Sequence, residues 1–147
     1  MLENSKHIII VGAGIAGLTA ALSLRHYGIR TSIYERSPEI ITAGAGIQLS
    51  PNANRVLSRI GVLKEISSVS IRCHGVKVFD YKSNRQLALF DYMKFKGNDF
   101  FYFCHRADLV GVLYAACQKL EIPVYFNKKL EKVINKKAVF SDGETLS

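Results

Sequence analysis

Residues 7–36 read HIIIVGAGIAGLTAALSLRHYGIRTSIYER, and this stretch decides the fold. An apolar run over residues 7–11 leads into a glycine-rich turn, and a helical pattern of small residues follows over residues 18–27. A second, β-like run, residues 31–34, ends on Glu35. The pattern predicts a strand, a turn, a helix and a second strand, which together form the dinucleotide-binding unit of doubly wound α/β folds.

Each glycine of the GAGIAG turn has its own physical role. Gly12 permits the tight turn out of the strand, and Gly14 lets the backbone approach a pyrophosphate because it carries no Cβ. Gly17 lets the helix pack closely on the strand. The exposed N–H groups at the start of the helix then face the negative charge of the phosphates.

Glu35 follows Gly17 at close to the ~20-residue spacing expected for the acid that accepts a hydrogen bond from a ribose hydroxyl. The motif leaves NAD, NADP and FAD open as ligands. Glu35 would repel a 2′-phosphate, which argues against NADP, whereas the neighbouring Arg36 could accommodate that phosphate. A glycine-rich turn without a ligand is disfavoured, because the strand, the helix and the acid are all present.

The composition indicates one globular domain, since 48% of the 147 residues are hydrophobic and 22% are charged. The net charge is +8. No stacking aromatics alternate with the late lysines, so we favour a solvated hairpin face over a nucleic-acid or membrane patch and predict no nucleic-acid partner. Part of this positive field would still help to hold an anionic cofactor. The lysines concerned are Lys119, Lys128, Lys129, Lys132, Lys136 and Lys137.

The cysteines have neither CxxC nor metal-ligand spacing, so we expect buried, inert thiols, no metal site and a cytoplasmic location. Glycines and polar residues interrupt the apolar stretch 8–24, which predicts a buried strand and helix and no membrane span. No arrangement of nucleophile and base stands out, and we assign no catalytic residue. The cysteines are Cys73, Cys104 and Cys117.

The first helix is predicted to end at Gly28 as its C-cap. Residues 42–50 are predicted to form a glycine-rich loop, and a helix is predicted to begin at Pro51, with Ser50 as N-cap and Gly61 as its stop. The apolar face of that helix is predicted to consist of Val56, Leu57 and Ile60.

A hairpin is predicted from the alternation in residues 75–80 and 86–90, with a polar turn between them. The aromatic stretch 97–103 is interpreted as core or a strand face, and HRADL at residues 105–109 begins a helix. Residues 122–126 are predicted as a further parallel strand. Three short strands with turns at Lys136-Lys137 and Asp142-Gly143 are predicted at residues 130–134, 138–141 and 144–147.

Three features together support a family resemblance: the fingerprint ending in Glu35-Arg36, the stretch AGAGIQLSPNANRVLSRIG at residues 43–61, and HRADL. The chain resembles the N-terminal third of class A FAD-dependent aromatic hydroxylases, the family of salicylate hydroxylase and para-hydroxybenzoate hydroxylase. The resemblance extends over nearly all of the sequence. It implies an N-terminal, C-terminally truncated piece of such a protein.

The resemblance implies a Rossmann-like FAD-binding domain with a parallel sheet and a small antiparallel hairpin insertion. Residues 1–71 and 101–147 would form this domain, and residues 72–100 would be the first strands of a second, substrate domain. The pyrophosphate of FAD would lie on the turn and on the amides of the helix start. The residues implied for it are Gly12, Gly14, Ile15, Ala16 and Gly17.

The other implied cofactor contacts lie further along the chain. Glu35 would bind the adenosine ribose, Arg36 would lie beside the adenine, and Leu130 would pack near it. Gln48 would lie near the flavin, and Arg106 would reach the phosphate–ribityl region with a forked, charge-assisted contact. The alternatives are an ordinary polar loop residue for Gln48 and a surface or capping residue for Arg106.

The resemblance implies a flavoprotein monooxygenase that hydroxylates a small aromatic substrate with NAD(P)H and O2, FAD carrying the chemistry. We expect this chain to lack a complete active site and to be inactive by itself. A stand-alone dinucleotide-binding module and half of an NAD-dependent dehydrogenase are the alternatives, although the Gln48 loop and HRADL favour FAD over NAD. The aromatic substrate, the choice between NADH and NADPH, and the oligomeric state stay open.

Overall fold

A computed structural model of the chain describes residues 7–40, 44–94 and 100–147. The helices are α1 (Ile15–His26), α2 (Pro51–Arg59), α3 (Leu63–Ser68) and α4 (Arg106–Lys119). The strands are β1 (His7–Val11), β2 (Arg30–Tyr34), β3 (Gly46–Leu49), β4 (Ile71–Cys73), β5 (Gly75–Phe79), β6 (Gln86–Asp91), β7 (Phe101–His105), β8 (Val124–Tyr125), β9 (Leu130–Ile134), β10 (Lys137–Phe140) and β11 (Thr145–Leu146).

The contacts within the chain divide it into two compact units, residues 1–43 with 107–147 and residues 44–106. The segment 72–100, which we predicted to start a substrate domain, lies inside the second unit. Its assignment to a substrate domain stays a prediction, because a compact unit does not reveal what it binds.

The first unit contains the predicted parallel sheet, with the strand order β1-β2-β8. Ile9 is paired with Ser32, and Ile33 is paired with Val124. The parallel α/β fold is therefore confirmed. Helix α1 starts at Ile15, three residues earlier than the small-residue pattern indicated.

Helices α1 and α4 bury apolar side chains in the core of this unit. Helix α1 ends where Gly28 takes a positive φ of 73° and the Ile29 N–H donates to the Leu24 carbonyl at 3.0 Å, so the predicted glycine stop is confirmed. The buried side chains are Leu18, Ala21 and Leu22 of α1 and Leu109, Val110, Leu113 and Cys117 of α4.

Strands β9, β10 and β11 form the predicted antiparallel meander. The first turn was placed wrongly, because Asn135 and Lys136 have positive φ values of 49° and 65° while Lys137 already belongs to β10. Two consecutive left-handed residues form the tight hairpin turn, and asparagine tolerates that conformation better than most residues. Gly143, with φ 87°, lies in the second turn as predicted.

The second unit contains an antiparallel sheet with the order β3-β7-β4 and the predicted hairpin β5-β6. The prediction of a loop over residues 42–50 was wrong for residues 46–49, which form β3; residues 42 and 43 lie outside the described residues. Gly46 pairs with His105 and Leu49 with Tyr102. These partners lie far along the chain, so a local glycine signal could not reveal the strand.

Helix α2 begins at Pro51 with Ser50 at the N-cap, as predicted, and Gly61 follows it with φ 79°. The Ser50 Oγ donates to Asn52 Oδ1 at 2.5 Å rather than accepting from a backbone amide. The predicted apolar face was partly wrong. Val56 is exposed, whereas Asn54 is buried together with Leu57, because the Asn54 Nδ2 donates to the Phe100 carbonyl at 2.6 Å.

Candidate functional site

The glycine turn between β1 and α1 has the backbone geometry of a phosphate-binding turn. Gly12 has a φ of 100° and donates its N–H to the Tyr34 carbonyl at 2.8 Å, which ties the turn to the end of β2. The first helical bond of α1 runs from the Leu18 N–H to the Gly14 carbonyl at 3.0 Å. The amides of Ile15 and Ala16 precede that bond and lie at the positive end of the helix.

Gly14 and Gly17 are glycines for different reasons. A Cβ on Gly17 would lie 1.9 Å from the Gly12 carbonyl oxygen and 3.3 Å from Ile10 Cγ2, so the close packing of α1 on β1 excludes any side chain. A Cβ on Gly14 would meet nothing within 4 Å, and its φ of −80° suits any residue. Neither packing nor backbone conformation requires glycine at position 14, and the open space there fits an approaching pyrophosphate.

Glu35 lies directly beside this turn. Its Oε2 accepts from the Ala13 N–H at 2.7 Å, and its Oε1 accepts from the Ser37 N–H at 2.9 Å. Partial burial favours the neutral acid, but the hydrogen bonds from Ser37 and Ala13 outweigh this and lower the pKa of Glu35. The acid is thus charged, and each carboxylate oxygen has a further lone pair that a ribose hydroxyl could use.

The chain after β8 lies alongside Glu35. The Lys128 N–H donates to the Glu35 carbonyl at 2.8 Å, and the Asn127 N–H donates to the Ser37 carbonyl at 3.1 Å. Leu130 begins β9 close behind, is half-buried and pairs with Phe140. The structure therefore brings the turn, Glu35 and the segment leading to Leu130 together at the carboxyl end of β2.

Lys128 fixes the meander to this segment through its side chain. Its Nζ forms an ion pair with Asp142 and a second with Glu144 at 2.7 Å. Donation to both carboxylates raises the pKa of Lys128. Arg36 is exposed beside Glu35, and its charge helps to lower the pKa of that acid.

An aromatic cluster behind Glu35 was not predicted from the sequence. The Tyr34 ring lies 4.9 Å from the Tyr125 ring and 5.0 Å from the Phe140 ring. The Glu35 N–H donates to the Tyr125 carbonyl at 2.8 Å, so the cluster adjoins the acid. Tyr125 is 45% exposed and presents an aromatic surface at the sheet end. The only sequence signal is that Tyr34 immediately precedes Glu35.

Gln48 and Arg106 both lie in the second unit. Gln48 is exposed on β3, paired with Phe103, and therefore belongs to a strand rather than to the predicted loop. Arg106 is half-buried and is the first residue of α4, as HRADL predicted. Its N–H donates to the Ala45 carbonyl at 3.2 Å, which joins the helix start to the segment before β3.

The remaining candidate groups have no arrangement that indicates chemistry. Within the described ranges, no three His, Cys, Asp or Glu side chains are grouped as ligands for a metal ion. Cys73, Cys104 and Cys117 are free thiols and buried, and desolvation raises the pKa of the Cys117 thiol to about 11. None of the helices in the described part of the chain combines the length and apolarity that a membrane crossing requires.

Comparison with known proteins connects this geometry to a cofactor. The chain is 36% identical to 3-amino-4-hydroxybenzoate 2-monooxygenase of Streptomyces cremeus over 112 residues, 74% of this chain and 28% of that protein. It is 33% identical to the FAD-dependent monooxygenase OpS4 of Beauveria bassiana over 90% of this chain and 32% of that protein. It is 36% identical to 3-hydroxybenzoate 6-hydroxylase 1 of Aquipseudomonas alcaligenes over 78% of this chain and 30% of that protein. The chain thus spans about a third of the length of these relatives.

Solved structures share the fold. A structure of 2-methyl-3-hydroxypyridine-5-carboxylic acid oxygenase superposes with a TM-score of 0.87 at 23% identity, over 98% of this chain and 38% of the other. The structure of CtdE in complex with FAD and a substrate superposes with a TM-score of 0.78 at 25% identity, over 95% of this chain and 35% of the other. The sequence matches the FAD binding domain family over residues 5–142, and the chain belongs to that family.

Proposed function

We propose that this chain binds FAD as the nucleotide-binding part of a flavin-dependent monooxygenase. The observation that carries the proposal is Gly14. Neither its backbone conformation nor its surroundings require glycine, yet it lies at the open N-terminus of α1 beside a charged Glu35. Membership in the FAD binding domain family supports FAD over NAD as the dinucleotide.

In this proposal the residues of the first unit hold the adenosine and phosphate parts of FAD. The helix-start amides of Ile15 and Ala16 donate to the pyrophosphate, which the Gly14 backbone leaves room to approach. Glu35 accepts from a ribose hydroxyl with the lone pairs that Ala13 and Ser37 do not occupy.

Four further residues are proposed to contact the cofactor. Arg36 lies beside the adenine, and Leu130 packs near it. Gln48 contacts the flavin, and Arg106 contacts the phosphate–ribityl region. These roles follow from the family resemblance, and the charge, exposure and position of each side chain on its own unit are compatible with them.

The proposed reaction is the hydroxylation of a small aromatic substrate with NAD(P)H and O2. FAD would supply the oxygen-activating chemistry, and the described residues would bind and orient it. Two of the relatives are named for hydroxylated benzoates, which suggests an aromatic acid as the substrate class. Because the chain spans about a third of the length of those relatives, the reaction is stated as a proposal only. A cytoplasmic location is proposed because the three cysteines of the sequence have neither CxxC nor metal-ligand spacing.

The proposal is tested by titrating the purified chain with FAD and with NAD, following flavin fluorescence and thermal shift. We expect FAD to bind more tightly than NAD. Glu35→Ala should weaken FAD binding by roughly 1.5–3 kcal/mol, the range for a hydrogen bond to a charged group. Tighter binding of NAD would overturn the choice of FAD, and an unchanged dissociation constant would remove Glu35 from the site.

A further inference from the structure

Gly44 lies just before β3, in the stretch that the sequence marked only as glycine-rich. A Cβ at this position would lie 3.0 Å from Arg106 Cβ, 3.0 Å from Arg106 Cδ and 3.4 Å from Arg106 Cγ. The φ of Gly44 is outside the left-handed region, so the backbone there would accept any residue. Glycine is needed at position 44 because the aliphatic stem of Arg106 fills the space that a side chain would take.

Two of the contacts that hold Arg106 lie next to β3, within the second unit. Its N–H donates to the Ala45 carbonyl at 3.2 Å, and its aliphatic stem passes over the backbone of Gly44. These two contacts fix where the stem leaves the helix start and the direction in which it continues. Gly46, in the same stretch, offers a contrast, because a Cβ there would meet nothing within 4 Å.

We propose that Gly44 is a positioning residue for Arg106: by leaving out a side chain, it fixes the path of the Arg106 stem and thereby the position of its guanidinium. The consequence for FAD rests on the proposed function. A guanidinium binds phosphate oxygens through two parallel N–H groups in one plane. Its contribution to FAD affinity therefore depends on how that plane is oriented toward the phosphate.

An alanine at position 44 would force this path to change. The backbone sets the position of the Arg106 Cβ, so the contact with Cβ is relieved only when one of the two segments moves. A few tenths of an ångström relieve the contact with Cβ, whereas the contact with Cδ is relieved by a change of rotamer. Gly44→Ala therefore keeps the charge of Arg106 but displaces its guanidinium group.

The first test reads the position of Arg106 without any cofactor. The side-chain Nε–H resonance of Arg106 is identified by its disappearance in Arg106→Lys. We expect Gly44→Ala to shift this resonance and Gly111→Ala to leave it in place. Gly111 lies on α4, and a Cβ there would meet nothing within 4 Å, so it provides the same chemical change without the contact. An unmoved Arg106 resonance in Gly44→Ala overturns the proposal.

The second test measures FAD dissociation constants in a double-mutant cycle. Gly44→Ala should weaken binding roughly tenfold, about the loss expected for one hydrogen bond to a charged group. In an Arg106→Ala background the same change should have no further effect, because the guanidinium it displaces is already absent. Full additivity of the two effects contradicts positioning, since Gly44 would then act independently of Arg106.

Two other outcomes are also decisive. If the wild-type chain binds no FAD, the proposed function fails, and the resonance of Arg106 alone decides the role of Gly44. If Gly44→Ala does not fold, the double variant with Arg106→Ala is examined. Folding of the double variant identifies the Arg106 stem as the obstacle and supports the proposal. Failure of both variants assigns the requirement for glycine to the contact with the Arg106 Cβ, which alanine keeps, and overturns positioning through the longer stem.

Discussion

Gly14 and Gly17 occupy the same turn, but only one of them is required by the packing of the protein. Because the Cβ of an alanine at position 17 would lie 1.9 Å from the Gly12 carbonyl oxygen, Gly17→Ala must push α1 away from β1. We expect it to lower the free energy of unfolding by about 1–3 kcal/mol or more. Gly14→Ala should change it by no more than about 1 kcal/mol, the scale for alanine at the N-cap of α1, while greatly weakening FAD binding.

Denaturant titrations and FAD titrations of both variants check this separation. Gly14→Ala is the control for Gly17→Ala in the unfolding measurement, because both make the same chemical change in the same turn. Unaltered FAD affinity in Gly14→Ala would show that the space beside this residue does not hold the cofactor.

Glu35 links the stability of the turn to pH. Its pKa in the folded protein is below the ordinary value of 4.5, so its charged form stabilises the fold above that pH. This contribution is lost as the pH falls through the lower, folded-state pKa. We expect Glu35→Gln to cost about 1–2 kcal/mol at neutral pH, after allowance for partial exposure, and progressively less below pH 4.5.

The measurement for Glu35 is chemical denaturation of wild type and Glu35→Gln from neutral to acidic pH. Asp80→Asn is a suitable control, because Asp80 also has a lowered pKa but lies in the exposed turn of the β5-β6 hairpin. A stability difference between wild type and Glu35→Gln that stays constant below pH 4.5 would contradict a charged role for Glu35.

The sequence predicted which single residues matter more readily than it predicted their partners. Glu35 was found from its spacing to the glycines, because that spacing follows from the strand–helix–strand path of the chain. The amide partners at Ala13 and Ser37 were not found, because a backbone N–H leaves no trace in residue type. Gly44 was inconspicuous for a related reason: its constraint comes from Arg106, which is remote in sequence.

At the scale of the elements, the packing of helix α4 on α1 buries a thiol of α4. Cys117 is completely buried, and its Sγ lies 3.9 Å from the Leu18 carbonyl oxygen. Burial raises the pKa of this thiol to about 11, so the reactive thiolate is scarce at neutral or mildly alkaline pH. We expect a disulfide reagent at pH 8 to leave Cys117 unmodified until α1 and α4 separate.

The test for Cys117 follows thiol modification in buffer and in denaturant. Peptide mapping identifies Cys117, and the modification rate should rise together with the loss of helical circular dichroism. Modification of Cys117 in the native protein at a rate close to that in denaturant would mean that the helices open freely.

Elements with a strong local signal were predicted well, and those that depend on remote partners were not. Strand β1, the β5-β6 hairpin and the start of α4 have alternation, turn residues or capping patterns within their own sequence. Strand β3 contains glycine and was interpreted as a loop, because only its pairing with β7 makes it a strand. Helix α3 and strand β4 were not predicted, since both are too short for a clear period.

For the molecule as a whole, the most consequential feature is the edge of the parallel sheet. Among the described strands, β1 pairs with β2 alone, and Val11 at its end is 49% exposed. An apolar edge strand offers free backbone groups to other chains. We expect the 147-residue chain to associate as its concentration rises, and Val11→Lys to suppress this association.

Sedimentation velocity over a range of concentrations measures this association. Val56→Lys is the matched control, because Val56 is 44% exposed and lies on a helix rather than at a strand edge. Equal suppression by both lysine substitutions would indicate that added charge, and not the edge of β1, prevents association.

The hydrogen bond from Ala13 to Glu35 makes the two halves of the proposed ligand thermodynamically dependent on each other. The Glu35 carboxylate would contact both the ribose and the turn that receives the phosphates. A ligand at the ribose position would therefore change the affinity of the turn for phosphate. Adenosine and inorganic pyrophosphate should therefore bind with measurable cooperativity when offered as separate molecules. Glutamine at position 35 should uncouple them, because an amide presents a donor on one side and a weaker acceptor on the other.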